Sequence, residues 1–220
     1  SNFQTAVNLW CSDKATAFST YGHIKDWNVT GVTNMEDAFK EKTSFDDNIS
    51  EWDVSNVANM HGMFEGAATF NQPIGDWNTS AATNMSAMLY GASAFNNSIA
   101  NWNVSSVANM SYLFEGASSF NQPLNNWDTS SATQMISMFK NANSLSNSNK
   151  GETHKTFSSN SNWPYSSWSA YAVYTPITDS NFQTAVNLWF SNEADANAIY
   201  GHISDWNTSA VTNMSEAFFN

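Results

Sequence analysis

Residues 99–120 read IANWNVSSVANMSYLFEGASSF, and a closely related string returns at a constant 25-residue step without an insertion. Tryptophan and methionine each hold one fixed position of this repeat. The members of these two columns are Trp27, Trp52, Trp77, Trp102, Trp127, Met35, Met60, Met85, Met110 and Met135. Columns that stay in phase over this length predict that consecutive repeats stack as coils around a shared core. We expect both columns to lie in that core.

Each coil is predicted to contain a short helix and a short strand. Val107, Met110 and Phe114 lie at i, i+3 and i+7, which is the spacing of one helical face. Residues 70–77 (FNQPIGDW) are too short and too rich in Gly and Pro for a helix, so we interpret them as a strand and a corner. The sequence therefore predicts an α/β solenoid of about five 25-residue coils.

The sequence also contains a duplication that is longer than the 25-residue repeat. Residues 1–39 recur at 180–218, a shift of 179, and 26 of the 39 aligned positions are identical. We expect a tandem array with a unit of this length, in which the sequence stops within the second copy. Four segments are predicted: an N-terminal capping helix (1–22), the solenoid (23–145), a C-terminal cap and linker (146–179) and the start of the next tandem unit (180–220).

Composition excludes several classes of function. The net charge of −12 with only seven Lys and Arg leaves no basic surface to neutralise phosphates, so nucleic acid is not an expected partner. No apolar run approaches the length of a membrane-spanning helix, and membrane insertion is not expected either. Cys11 is the only cysteine, which excludes an intrachain disulfide.

Asparagines also form columns. If neighbouring coils pair in parallel, Asn71, Asn96 and Asn121 would lie about 4.8 Å apart as a side-chain ladder. Such a ladder satisfies backbone groups at coil corners, where regular pairing lapses. A row that binds a ligand is the alternative.

Neither a catalytic residue nor a metal site is predicted, and no cofactor is expected. Asp26, Glu51 and Asp76 would stack just before the Trp column, either as a solvated edge or as a weak Ca²⁺ row. Sequons occur often, and four of them share the position just after the Trp, where a turn is expected. If the protein is secreted by a eukaryote, we expect glycans there first: Asn28, Asn78, Asn103 and Asn207.

Residues 146–179 lie outside the repeat. Their polar start is predicted to be a loop, and the aromatic stretch that follows could cover the last coil. The same aromatics are the candidates for binding a glycan or a protein: Trp163, Tyr165 and Trp168.

The repeat, W-[ND]-[VT]-S-x-V-[TA]-N-M-x-x-M-F-x-x-A-x-x-F-N, resembles that of BspA-like leucine-rich-repeat surface proteins. It is especially similar to the 25-residue repeat of Mycoplasma lipoproteins and marine microbial surface proteins, and the likeness covers residues 24–145. The resemblance implies a solenoid of leucine-rich-repeat type at the cell surface or outside the cell, used in adhesion or as architecture. It carries no catalytic residues over to this chain.

The sequence thus favours a non-catalytic structural or adhesive module of a tandem-repeat surface protein, which could assemble into a fibre. Its partners would be neighbouring units of the same chain or other copies of itself. The rival hypothesis is an adhesin module that binds glycans or surface proteins. An enzyme is a third alternative, without any residue constellation that favours it.

Overall fold

The computed structural model describes residues 2–201, 203 and 206–215. Its α-helices are α1 (Phe3–Ser12), α2 (Lys14–Tyr21), α3 (Asn147–Phe157), α4 (Phe182–Ser191) and α5 (Glu193–Tyr200). Two short 3-10 helices span Ile24–Asp26 and Ser166–Tyr171. No described helix combines the length and the hydropathy needed to cross a bilayer. Part of the predicted next unit, 180–220, lies outside the described residues.

The prediction of an α/β solenoid of leucine-rich-repeat type is wrong. Among the described residues there is no β-strand, and residues 27–145 contain turns in place of the predicted helix and strand of each coil. In the described residues, β-type pairing between adjacent coils is limited to isolated parallel bridges, such as Asn59↔Asn84. Residues 27–145 therefore form a stack of turn-rich coils without a β-sheet.

Positive φ angles explain why the helical stripe forms no helix. Asp37 and Glu41 have φ values of 55° and 58°, and their counterparts in later coils repeat this conformation. A left-handed residue every fourth position ends helical propagation. The Asp37 N–H consequently donates to the His61 carbonyl of the next coil, at 2.9 Å, while Lys40 N–H closes a local turn on Asp37. The i, i+3 spacing reflects these successive turns.

Hydrogen bonds between successive coils repeat with the sequence. Met60, Gly62, Phe64 and Gly66 each donate a backbone N–H to a carbonyl of the following coil, at 2.7–2.9 Å. Inside the coils the aromatic side chains stack in register, and the rings of Phe70 and Phe95 lie 6.0 Å apart and nearly parallel. One hydrophobic cluster runs from α1 through every coil to Trp168.

Helices cover both ends of the stack. Residues 1–22, predicted to form one capping helix, contain two, because α1 ends at Ser12 and the Asp13 side chain caps α2. The polar tract predicted as a loop contains α3, whose start is capped by the Ser146 hydroxyl. Phe157 of α3 stacks on Trp127 at 6.4 Å, and so takes the place of the next tryptophan in the column.

A second, smaller hydrophobic cluster begins after the cap. Ile177, Phe182, Ala185 and Val186 are buried together, and Trp206 is among the side chains packed against them. This cluster combines Ile177 of the linker with residues of the second copy of the duplicated segment.

Candidate functional site

The tryptophan and methionine columns lie in the core of the stack. All five methionines are at most 1% exposed, and Trp52, Trp77, Trp102 and Trp127 at most 3%. Each of these indoles donates its ring N–H to the carbonyl of an Ile in the preceding coil, at 2.8–3.2 Å. Trp27, at the end of the column, is only half-buried and donates to Gly22 at 3.3 Å. These side chains pack the coils together and are not accessible to a ligand, with Trp27 as the exception.

The Asn71, Asn96 and Asn121 side chains join one coil to the next at its corner. Asn71 Oδ1 accepts the backbone N–H of Asn96, and Asn96 Oδ1 accepts that of Asn121, both at 2.9 Å. Asp46 starts this row by accepting the Asn71 N–H, and Ser146 ends it. Each side-chain oxygen is thus used by a backbone group that has no partner in its own coil.

Asn96→Ala is expected to lower the free energy of unfolding by about 1 kcal/mol, because the Asn121 N–H loses its acceptor at a solvated corner. Asn96→Asp is the matched control, since Asp46 fills the equivalent position and accepts the same kind of bond. Urea denaturation followed by circular dichroism measures both. Equal losses for the two variants would show that the ladder oxygen contributes nothing.

The acidic row predicted before the tryptophans is spread along an exposed edge. Asp26, Glu51 and Asp76 are all exposed. Within the described part of the chain, no group of three or more His, Cys, Asp or Glu side chains could hold a metal ion. The row therefore has the features of a solvated edge.

The four preferred sequon asparagines are exposed and lie just before turns. In each, Oδ1 accepts the N–H of the Ser or Thr two residues later, at 3.0–3.2 Å, as in Asn28 and Thr30. This hydrogen bond leaves the side-chain nitrogen, where a glycan would be attached, pointing away from the bond. Asn28, Asn78, Asn103 and Asn207 are therefore exposed side chains held at turns.

The aromatic residues predicted to bind a glycan or protein are packed inside the molecule. Trp163 and Trp168 are 9% and 8% exposed and belong to the main hydrophobic cluster. Trp163 donates its ring N–H to His154 at 3.1 Å. The Tyr165 hydroxyl accepts the backbone N–H of Phe139 at 2.8 Å. The burial of Trp163 and Trp168 against the last coil favours the covering role over the hypothesis that these aromatics bind a glycan or a protein.

Tyr165→Phe is expected to destabilise the protein by about 1–2 kcal/mol, since the Phe139 N–H is left without an acceptor.

Burial raises the pKa of the Tyr165 hydroxyl. The folded form then resists ionisation after the unfolded form has begun to ionise, so this group costs stability as the pH rises beyond about 10. Urea midpoints between pH 7 and 11 should fall more steeply for the parent than for Tyr165→Phe. Parallel profiles would contradict this role.

Sequence reasoning missed a charged column on the surface of the stack. Lys40, Glu65, Tyr90, Glu115 and Lys140 follow one another at the 25-residue step. Lys40 pairs with Glu65 at 3.1 Å, and Lys140 with Glu115 at 2.9 Å. The 25-residue spacing of these residues is visible in the sequence. That oppositely charged side chains of neighbouring coils lie next to each other becomes evident only once the stacking of the coils is known.

Sequence reasoning also missed a cleft beside α1. It has a volume of about 370 Å³, and the half-buried rings of Tyr21 and Trp27 form part of its wall. Its lining residues are Asn2, Phe3, Ala6, Tyr21, Trp27, Asn28, Val29, Gly31 and Val32. The duplication could have indicated it, because seven of these nine residues are unchanged 179 positions later; the exceptions are Val29 and Gly31, which correspond to Thr208 and Ala210.

A family model described as "Mycoplasma protein of unknown function, DUF285" matches residues 9–104, 77–173 and 178–220. Comparisons with curated proteins and with solved structures gave no match. The family match confirms the Mycoplasma-type repeat predicted from the 25-residue motif, and it does not extend to BspA-like leucine-rich-repeat proteins in particular. Because the matched ranges cover the stacked coils and most of the rest of the sequence, the chain belongs to the DUF285 family.

Proposed function

We propose that this chain is a non-catalytic structural module of a tandem-repeat surface protein, in which compact blocks follow one another in series. The observation that carries the proposal is the link between the first block and the second. Asp179, directly before the second copy, accepts hydrogen bonds from the backbone and hydroxyl of Thr212, at 2.6 and 2.7 Å. The linker is thus held by the unit that follows it.

The ends of the first stack support discrete blocks over one continuous stack. At the first coil, the backbone carbonyls of Asn34, Glu36 and Lys40 accept no hydrogen bond from a described residue, although their counterparts in later coils do. The fourth carbonyl of this row, that of Ala38, is taken by Gln4 Nε2 of α1 at 3.1 Å. This side chain occupies the place where a preceding coil would donate.

The last coil is closed in the complementary way. The N–H groups of Met135, Ser137 and Asn141 find no acceptor in the described part of the chain, while that of Phe139 is taken by the Tyr165 hydroxyl. A stack with a donor row at one end and an acceptor row at the other would otherwise add further coils indefinitely. Gln4 and Tyr165 interrupt both rows, as the terminal caps of repeat proteins do.

Small-angle X-ray scattering tests the proposal. The full chain is compared with versions in which one or two further copies of residues 1–179 precede it. Blocks in series should increase the maximum dimension by the same increment for each added copy, with the radius of the cross-section unchanged. A maximum dimension that does not grow with copy number would overturn the serial arrangement.

The location is proposed to be the cell surface or the extracellular space. This part of the proposal is tested by labelling intact cells of the source organism with an antibody raised against residues 1–179. Labelling of intact cells is the expected result, and labelling only after permeabilisation would reject it. The same purified protein on a glycan array tests the adhesin alternative, for which the structural module predicts no hit.

A further inference from the structure

The residues that form the cleft beside α1 have direct counterparts in the second copy, and there a linker residue is buried with them. Phe182, Tyr200, Trp206 and Val211 correspond to Phe3, Tyr21, Trp27 and Val32 of the first cleft. All four belong to the second hydrophobic cluster or pack against it. The cluster also contains Ala185 and Val186 of α4, and Ile177, which comes from the linker and is 4% exposed. An isoleucine of the preceding segment is thus buried together with the residues that correspond to the first cleft.

Polar contacts hold the same linker on both sides of Ile177. Asn181 Nδ2 donates to the carbonyl of Pro176 at 2.9 Å, and Asn181 Oδ1 accepts the N–H of Thr178 at 2.8 Å. One amide side chain thus satisfies two backbone groups of an extended segment. Asp179 then closes the site on Thr212.

In the first copy, the corresponding groups have no partner among the described residues. The Asn2 side chain, which matches Asn181, makes no hydrogen bond with a described residue. Neither the N–H nor the hydroxyl of Thr33, which matches Thr212, does so. In later coils the N–H at this position donates to the coil before, as Ala58 does to Thr33. The first cleft thus combines an open apolar space with unused donors and an unused acceptor.

We propose that the cleft formed by Phe3, Tyr21, Trp27 and Val32 is the receptor for an extended Pro-Ile-Thr-Asp segment joined directly before Ser1. The isoleucine side chain fills the cleft, the Asn2 amide binds the backbone on either side of it, and the aspartate accepts the N–H and hydroxyl of Thr33. This inference deepens the proposed function and rests on it, because it names the contact that joins a block to whatever precedes it.

The chemistry of the site selects this segment. A β-branched apolar residue suits a space walled by three aromatic rings and a valine, where burial of apolar area is favourable. An aspartate two residues later provides two acceptor oxygens for the two donors of Thr33, and charge-assisted hydrogen bonds of this type are the stronger kind. Proline fixes the backbone in an extended form before docking.

The test uses the full chain with Tyr-Thr-Pro-Ile-Thr-Asp, the sequence of residues 174–179, added directly before Ser1. A matched extension carries serine in place of the isoleucine and alanine in place of the aspartate. Amide hydrogen exchange at Thr33 is the readout. The first extension should slow exchange there at least tenfold relative to the unextended chain and raise the melting temperature, and the second should do neither. Equal exchange at Thr33 with the two extensions would overturn the proposal.

The occupied site in the second copy provides an internal reference. Ile177→Ser combined with Asp179→Ala is expected to speed exchange at the Thr212 amide while leaving Thr33 unchanged. If a free peptide of sequence YTPITD at equimolar concentration protects Thr33 as well as the joined extension does, the occupant is a segment from another molecule and the assignment made here is wrong. Scattering that shows no serial lengthening, together with protection at Thr33, would reject the array and leave the receptor intact.

Discussion

Trp102→Ala is expected to lower the free energy of unfolding by about 3–5 kcal/mol, the usual cost of removing a large aromatic side chain from a core. Trp102 is 2% exposed, and its ring stacks on Trp127 at 6.2 Å with an interplanar angle of 11°. Its ring N–H also donates to the Ile74 carbonyl at 2.9 Å. The truncation removes contacts with the coils on both sides, so a cavity forms in the middle of the stack.

Trp27→Ala is the matched control for this prediction. Trp27 occupies the same position of the repeat, but it is half-buried at the end of the column and has a coil on only one side. The control should cost clearly less than Trp102→Ala. Chemical denaturation measures both values. The transition should be followed by circular dichroism, because this signal does not rely on tryptophan fluorescence. Similar losses at both positions would mean that stacking between coils does not determine the contribution of the column.

The second large effect is expected at the C-terminal cap, for Gly151→Ala. Glycine within a helix such as α3 is ordinarily less stable than alanine, by about 1 kcal/mol. Here a Cβ on Gly151 would contact the Tyr171 carbonyl oxygen and lie 2.7 Å from its carbon and 3.1 Å from Ala172 N. Backbone atoms cannot rotate away, so α3 and the 3-10 helix at Ser166–Tyr171 must separate. We expect a destabilisation of about 2–3 kcal/mol, opposite in sign to the helical preference.

Gly31→Ala serves as the control for the glycine substitution. A Cβ at this position meets no atom within 4 Å, and the second copy has alanine at the equivalent position, Ala210. Its free energy of unfolding should stay within about 0.5 kcal/mol of the parent. Thermal and urea denaturation compare the two variants. A Gly151→Ala variant as stable as the parent would show that the 3-10 helix at Ser166–Tyr171 does not pack against α3 in solution.

Much of the organisation of the chain could be predicted from spacing alone. A constant 25-residue period with fixed Trp, Met and Phe positions requires that equivalent side chains lie above one another, since no single coil can bury its own apolar face. The duplication of residues 1–39 at 180–218 likewise required a second unit. Neither inference depends on the path of the backbone within a coil.

The backbone path is where the sequence-based prediction failed. The spacing of Val107, Met110 and Phe114 fits a helix, and successive turns give almost the same spacing. The choice depends on left-handed residues such as Tyr112 and Ser137, with φ values of 61° and 53°. Non-glycine residues seldom adopt this conformation in isolation. Here the N–H groups of each coil find acceptors on the next coil, and this gain can be evaluated only with both coils in place.

The amino-acid sequence by itself determined the repeat, its period, the set of core side chains and the longer unit, because these follow from which residues must be buried at which interval. The tertiary structure alone decided three further features: the turn-rich coil, the burial of Trp163 and Trp168, and the burial of Ile177 against the second copy. The physical reason is the same for all three. Each depends on whether a particular hydrogen-bonding group or apolar surface has a neighbour. Those neighbours belong to the adjoining coil, the cap or the next copy, so they are determined by how the coils stack and not by the conformational preference of the local sequence.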